Sequence, residues 1–172
     1  PLMITPEAEQ SIEKGLKYLI KTQSRDGSWR SNGNSGSYPC AMTALAGLAL
    51  LASGSTPLEG PYAINVQKAT EYILSCAGES GLIAKMSEEQ RSMYGHGFSM
   101  LFLGQVYGMG VDESTQRRIK RVLTQAIQLT GKSQSSAGGW LYEPNSNGDE
   151  GSVTITQIQG LRSCKNAGIK VP

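Results

Sequence analysis

Four side chains in this chain have the chemistry for catalysis or metal binding and stand where a helix is expected to begin: Cys40, His96, Asp149 and Glu150. One thiolate, one imidazole and an acid such as Asp149 would make a three-ligand zinc set with an open position, as in a catalytic zinc site. Sequence supplies two of those ligands and leaves the third open, so the expectation is no cofactor, with zinc as the minor alternative. Asp149 and Glu150 could donate a proton into a cavity, but acids at a helix N-terminus also complement the helix dipole, and that second reading is favoured. Cys40 reads equally as a small buried hydrophobe and His96 as a buried hydrogen-bonding residue. The catalytic assignment is therefore unknown, with these four as weak candidates.

The elements that position them repeat. Gln23-Ser-Arg-Asp-Gly27-Ser-Trp29 returns as Gln134-Ser-Ser-Ala-Gly138-Gly-Trp140, and these hold the only two tryptophans. A fainter copy lies between. Lys14, Tyr18, Leu19, Ile20 and Gly27 correspond to Lys68, Tyr72, Ile73, Leu74 and Gly81, with Ala77 in the glutamine's place and Ile83 in the tryptophan's. Three units of roughly 55 residues follow, over 5–56, 57–111 and 112–170, in one domain.

Each unit reads as an amphipathic helix, a loop and an inner helix, which carries no charge in the first two units. Thr5-Pro6-Glu7 is a helix start, and Ala8, Ile12, Leu16, Leu19 and Ile20 give one apolar stripe ending near Gln23. Residues 24–37 are a Gly/Ser/Asn-rich loop. The second helix, Cys40 to Ser53 with Gly54 behind it, has no charge and should be buried nearly all round. Pro61 to about Cys76 is the next amphipathic helix, and residues 78–93 are a connection. A buried helix from Tyr94 or Gly95 to Tyr107 carries Phe98, Met100 and Phe102. Asp112 opens the third outer helix, with Ile119, Val122, Leu123, Ala126 and Ile127 inward. After a loop, Ser152 should cap a last helix over Val153–Ala167. No strand signal appears. The fold class is all-α, with three outer–inner helical hairpins.

Composition narrows the partners. Sixteen basic against fourteen acidic residues leave a net charge of +2. The dense run Arg117-Arg118-Ile119-Lys120-Arg121 reads as a solvated helix face, so no nucleic acid is expected. The longest apolar run, Ala44 to Ala52, is too short to span a membrane. Three cysteines form no disulfide pattern, and Cys76 and Cys164 read as core or groove residues. The chain opens at Pro1 without a signal peptide and reads as trimmed from a longer one, so localisation is unknown.

Alternating amphipathic and buried helices around a Q-x3-G-x-W phrase resemble the α/α-toroid superfamily of squalene–hopene cyclases and protein prenyltransferase β-subunits. Lys14-Gly15-Leu16-Lys17-Tyr18-Leu19 through Gln23 and Trp29 is similar to the QW motif of the cyclases. The likeness is nearest to uncharacterised bacterial proteins with prenyltransferase and squalene oxidase repeats, where phrases like Tyr94-Gly95-His96-Gly97-Phe98 and Ser152-Val153-Thr154 open inner helices. The resemblance implies that Gln23, Gly27, Trp29, Gln134, Gly138 and Trp140 are structural. It implies inner helices whose N-termini face one mouth of a cavity, lined by Tyr38, Cys40, Tyr94, His96, Phe98 and Ser152. It also implies that the chain is about half of a ring. Two family sites are incomplete here. Thr43-Ala44 resembles the tail of the cyclase Asp-x-Asp-Asp motif, but Ala41 and Met42 replace its last two acids. Tyr38-Pro39-Cys40 resembles the prenyltransferase Asp-x-Cys, with Tyr38 where the aspartate belongs. The resemblance thus implies a terpenoid cyclase- or prenyltransferase-like protein with a cavity for an isoprenoid or other apolar ligand, activity unassigned. The alternative is a non-catalytic scaffold binding a lipid or peptide, and self-association through open repeat ends, or joining to the rest of a longer chain, is expected in either case.

Overall fold

Local chemistry sets the helix starts. In the computed structural model, which describes residues 4–31 and 37–172, α1 (Pro6–Thr22) begins where the Thr5 hydroxyl accepts the Ala8 N–H at 3.2 Å. Helix α5 (Glu113–Lys132) begins the same way, with the Asp112 carboxylate accepting from Thr115 at 3.0 Å. Between them lie α2 (Pro39–Ala52), α3 (Ala63–Ser75), a 3-10 turn (Met86–Arg91) and α4 (Ser92–Tyr107). Helix α6 (Gly151–Asn166) closes the order. The described residues are all helix and loop apart from one isolated bridge, Ala77 to Ile83. Part of the expected 24–37 loop, residues 32–36, lies outside the described residues, as do residues 1–3.

Three boundaries differ from the sequence expectation. The connection after α3 contains the 3-10 turn, and α4 starts at Ser92 rather than Tyr94 or Gly95. Residues 61–62 are turn, so α3 starts at Ala63. Helix α6 is capped not by Ser152 but by the Glu150 carboxylate, which accepts the Val153 N–H at 2.9 Å. A longer acidic side chain placed just ahead of the first turn satisfies the same orphan N–H.

Helix α4 is the hub. It packs against α2, α6, α3, α5 and the 3-10 turn, while α3 lies on α2 and α5, and α5 touches α6. Glycine makes the closest contacts. A Cβ on Gly97 would stand 2.5 Å from the Thr156 hydroxyl, and one on Gly160 would stand 2.9 Å from the Gly97 carbonyl oxygen. Larger side chains there would wedge α4 and α6 apart.

Helix α2 is not buried all round, as its lack of charge suggested. Met42 and Leu45 are 38% and 42% exposed. No described element packs over them deeply enough to bury them. For the same reason α1 buries no residue fully, and its Ala8 and Ile12 stay exposed while Leu16, Leu19 and Ile20 are half-buried.

The loops joining α1 to α2, α3 to α4 and α5 to α6 share one backbone design. In the first, Ser24 N–H bonds to the Ser28 carbonyl and Gly27 N–H to that of Ser24. Gly78 and Gly81 repeat those bonds with Leu82 and Gly78, and Ser135 and Gly138 repeat them with Gly139 and Ser135. Each loop turns at a glycine with φ of +89°, +90° and +93° at Gly27, Gly81 and Gly138, a region costly to other residues. The indole N–H of Trp29 donates to the Leu19 carbonyl at 2.9 Å, and that of Trp140 to the Thr130 carbonyl at 2.8 Å. Each indole ties its loop to a carbonyl in the last turn of the preceding helix, and the Leu19 carbonyl accepts the Gln23 N–H at 3.1 Å as well.

The surroundings of the glycines separate the loops. A Cβ on Gly27 would lie 2.3 Å from the Lys68 carbonyl oxygen and one on Gly81 2.5 Å from that of Gln125, whereas Gly138 has open space. Gly138→Ala should therefore cost only the left-handed backbone penalty, about 1–2 kcal/mol. Gly27→Ala and Gly81→Ala should each cost roughly 1–3 kcal/mol more, from overpacking against α3 and α5. Urea unfolding of the three variants measures the difference; equal losses would contradict it.

Candidate functional site

The N-terminus of α2 has no local cap. Tyr38 holds a left-handed φ of 37° and makes no capping bond. Its task falls to Glu88 of the 3-10 turn, which is 1% exposed. One Glu88 oxygen accepts the N–H groups of Cys40 and Ala41 at 2.9 and 3.2 Å, and the other accepts from Lys85 at 3.1 Å. Gly95 leaves room, since a Cβ there would stand 3.1 Å from both the Cys40 Cβ and the Glu88 carboxyl. Sequence reasoning missed Glu88, because nothing in its spacing distinguishes it from the neighbouring acid in the same turn.

Cys40 is fully buried beneath this carboxyl. Its thiol bonds to the sulfur of Cys76, whose own S–H donates to the Tyr72 carbonyl at 3.2 Å. That bond first, then burial and the nearby Glu88, push the Cys40 thiol far above its ordinary range. A buried thiol held neutral in this way is a poor nucleophile at neutral pH.

His96 is also buried, away from the open face expected for it. Its Nδ1 accepts the Ile83 N–H at 3.2 Å, and its Nε2 meets the Thr130 hydroxyl at 3.0 Å. The first bond leaves the ring proton on Nε2, which donates to Thr130, while the Thr130 hydroxyl donates to the Ala126 carbonyl at 3.0 Å. Burial drives the imidazole down to about 4. Its counterparts explain its place. The Thr43 hydroxyl accepts the Trp29 N–H at 3.0 Å and the Thr154 hydroxyl that of Trp140 at 3.0 Å. His96 thus fills the position of the two threonines, tying the middle loop to α4.

Around the α6 N-terminus the side chains are more open. Asp149 is exposed, with its Cβ close to Gly139. Tyr94 OH bonds to the Ser152 hydroxyl and to Glu150, 3.4 Å away, and Ser152 also bonds to Glu150. The Ser152 hydroxyl and the Val153 N–H hold the Glu150 carboxyl below its usual range, which suits a cap and opposes a proton donor. Tyr142 lies 6.0 Å from Tyr94 ring to ring, and Arg91 stands over Tyr142 at 5.2 Å.

Cys40, His96 and Asp149 do not converge: among the described residues no three His, Cys, Asp or Glu side chains are placed to hold a metal ion. Of the expected cavity residues, Tyr38, Tyr94 and Phe98 are half-buried and Ser152 is exposed. Together with Leu101 and Gln105, Tyr94 and Phe98 form the one stripe of α4 left open at helical spacing. Beside it a groove of about 610 Å³ runs between α4 and α6, lined by Leu101, Gln105, Met109, Gln159 and Arg162 among others. No helix of the described residues is long and apolar enough to cross a membrane. None of the known protein-family models matches the chain, and no curated protein matches it.

Two outcomes follow. Free His96 titrates near 6.5, above its folded value, so the unfolded chain takes up the proton first. Its contribution is complete above pH 6.5 and is lost as pH falls toward 4, by about 3 kcal/mol. Urea midpoints across that window should fall less steeply for His96→Gln than for the parent. Glu88→Ala leaves three N–H groups without their acceptor and should cost about 2–4 kcal/mol by urea unfolding; a loss below about 0.5 kcal/mol, typical of a surface change, would contradict the capping role.

Proposed function

We propose that this chain is a section of an α/α toroid of the prenyltransferase and squalene-cyclase repeat type. In this reading α2, α4 and α6 form the inner layer and α1, α3 and α5 the outer. The section supplies an apolar wall for an isoprenoid or another apolar ligand. The observation that carries the reading is the open stripe of α4. The helix is uncharged, covered by neighbours on its other faces, and leaves Tyr94, Phe98 and Leu101 half-exposed, with Leu101 also lining a groove of about 610 Å³. That volume is of the size ligand sites use. The repeated loop geometry supports the toroid reading, because one loop design used three times is how a solenoid stacks.

A binding role fits this section better than catalysis. Three of the four candidates already have structural work: Cys40 in a thiol pair, His96 between Ile83 and Thr130, and Glu150 at a helix cap. A terpenoid cyclase- or prenyltransferase-like activity would draw its reacting groups from elsewhere in an assembled ring.

Native mass spectrometry of the purified protein tests the reading, with extraction and identification of anything bound. An apolar adduct lost in Leu101→Arg, with helical circular dichroism unchanged, is the expected result. A protein that takes up neither a copurified lipid nor an added isoprenoid alcohol would refute it.

A further inference from the structure

The two ends of the helical array carry the two halves of one interface. Thr43, His96 and Thr154 share one position in their helices, since each accepts the loop N–H of its own unit. That register aligns the faces. Met42, Leu45 and Ala49 of α2 correspond to Val153, Thr156 and Gly160 of α6. The α6 residues are buried, with Thr156 and Gly160 against Gly97 and Met100 of α4. In α2 the same face is open, Met42 at 38% and Leu45 at 42% exposure, and with Tyr18 and Leu19 it lines an apolar groove of about 480 Å³. At the other end, Ile155 and Ile158 of α6 correspond to Gly97 and Met100, the α4 residues that cover α6. Both isoleucines are open, at 56% and 52%.

The loops say the same. Gln23 donates to the Gly27 and Asn65 carbonyls and accepts from the Asn65 amide at 2.6 Å, which joins the first loop to α3. Gln134 is exposed, and its amide bonds to Gly138 within its own loop at 2.7 Å. Gly138 faces open space where Gly27 faces the Lys68 carbonyl. Lys14 and Ser11 of α1 stand in the places of Lys68 and Asn65, on a helix with no buried residue.

From this continuity with the α4–α6 interface we propose that a second copy of this chain docks head to tail. The α6 face of one copy, Ile155 and Ile158, covers Met42 and Leu45 of the next, and α1 of that copy settles on the Gln134–Gly138 loop. A second copy is the occupant because one chain bears both complementary halves. Such a contact is heterologous, so two copies form a ring where the rotation closes and a longer row where it does not. The proposal rests on the repeat reading above and is independent of whether an apolar ligand is bound.

Two variants and their mixture test it by light scattering and sedimentation over a range of concentrations. Ile158→Glu blocks the tail and Leu45→Glu the head, each placing a charge in the centre of an apolar contact. The parent chain should sediment at twice the chain mass or more, and each variant as a monomer with parental circular dichroism. An equal mixture of the two should recover a dimer, because one intact head and one intact tail remain. Ile155→Lys and Met42→Lys give the same test should either glutamate variant misfold. A parent that stays monomeric would overturn the proposal and assign the open faces to further repeats of a longer polypeptide. Association that survives both variants, or a mixture that stays monomeric, would overturn it as well. Monomers that still carry an apolar ligand would reject this interface while sparing the cavity reading, and ligand-free oligomers would do the reverse.

Discussion

The fold depends on one hydrogen bond made three times. A tight loop must turn the chain from one helix into the next without stranding its backbone groups. Thr43, His96 and Thr154, in or near the second turn of the buried helices, accept the N–H of Trp29, Ile83 and Trp140. Each bond fixes where the loop ends relative to its helix, and so the height at which the helix enters the layer. Buried N–H groups without partners are costly, which makes this acceptor hard to replace. The indoles add a second anchor in the outer units. The middle unit has Ile83 instead, and there the imidazole reaches on to Thr130 of α5.

The contact between α4 and α6 comes next. Gly97, Gly104 and Gly160 let the backbones approach closely, so α4 can be covered on several faces at once. Helices at the ends of the row lack such cover, and their apolar residues are correspondingly open. The middle unit is complete because it has neighbours on both sides.

Much of this was legible in the sequence. The repeated Gln–Gly–Trp phrase, the Thr5 and Asp112 starts and the uncharged stretches of α2 and α4 placed the helices to within a few residues, because caps and periodicity are local signals. The misses are long-range. Glu88 caps a helix through Cys40, 48 residues earlier in the chain, and no pattern near Glu88 announces it. His96 drew attention as a ligand because histidine is rare here, yet its role follows from a threonine in the equivalent place of the other units. The repeat alignment hides that equivalence, because Ile83 and His96 are 13 residues apart where the other two pairs are 14 apart. Burial of α2 was overstated because lack of charge records what a face is suited to meet, and the described elements do not cover it.

The central claim is best tested by amide hydrogen exchange read residue by residue at Trp29, Ile83 and Trp140. The account predicts strong protection at all three, well above that of the loop amides of Arg25 and Ser136. Exchange at the rate of unstructured peptide at any one of them, in the folded protein, would contradict it.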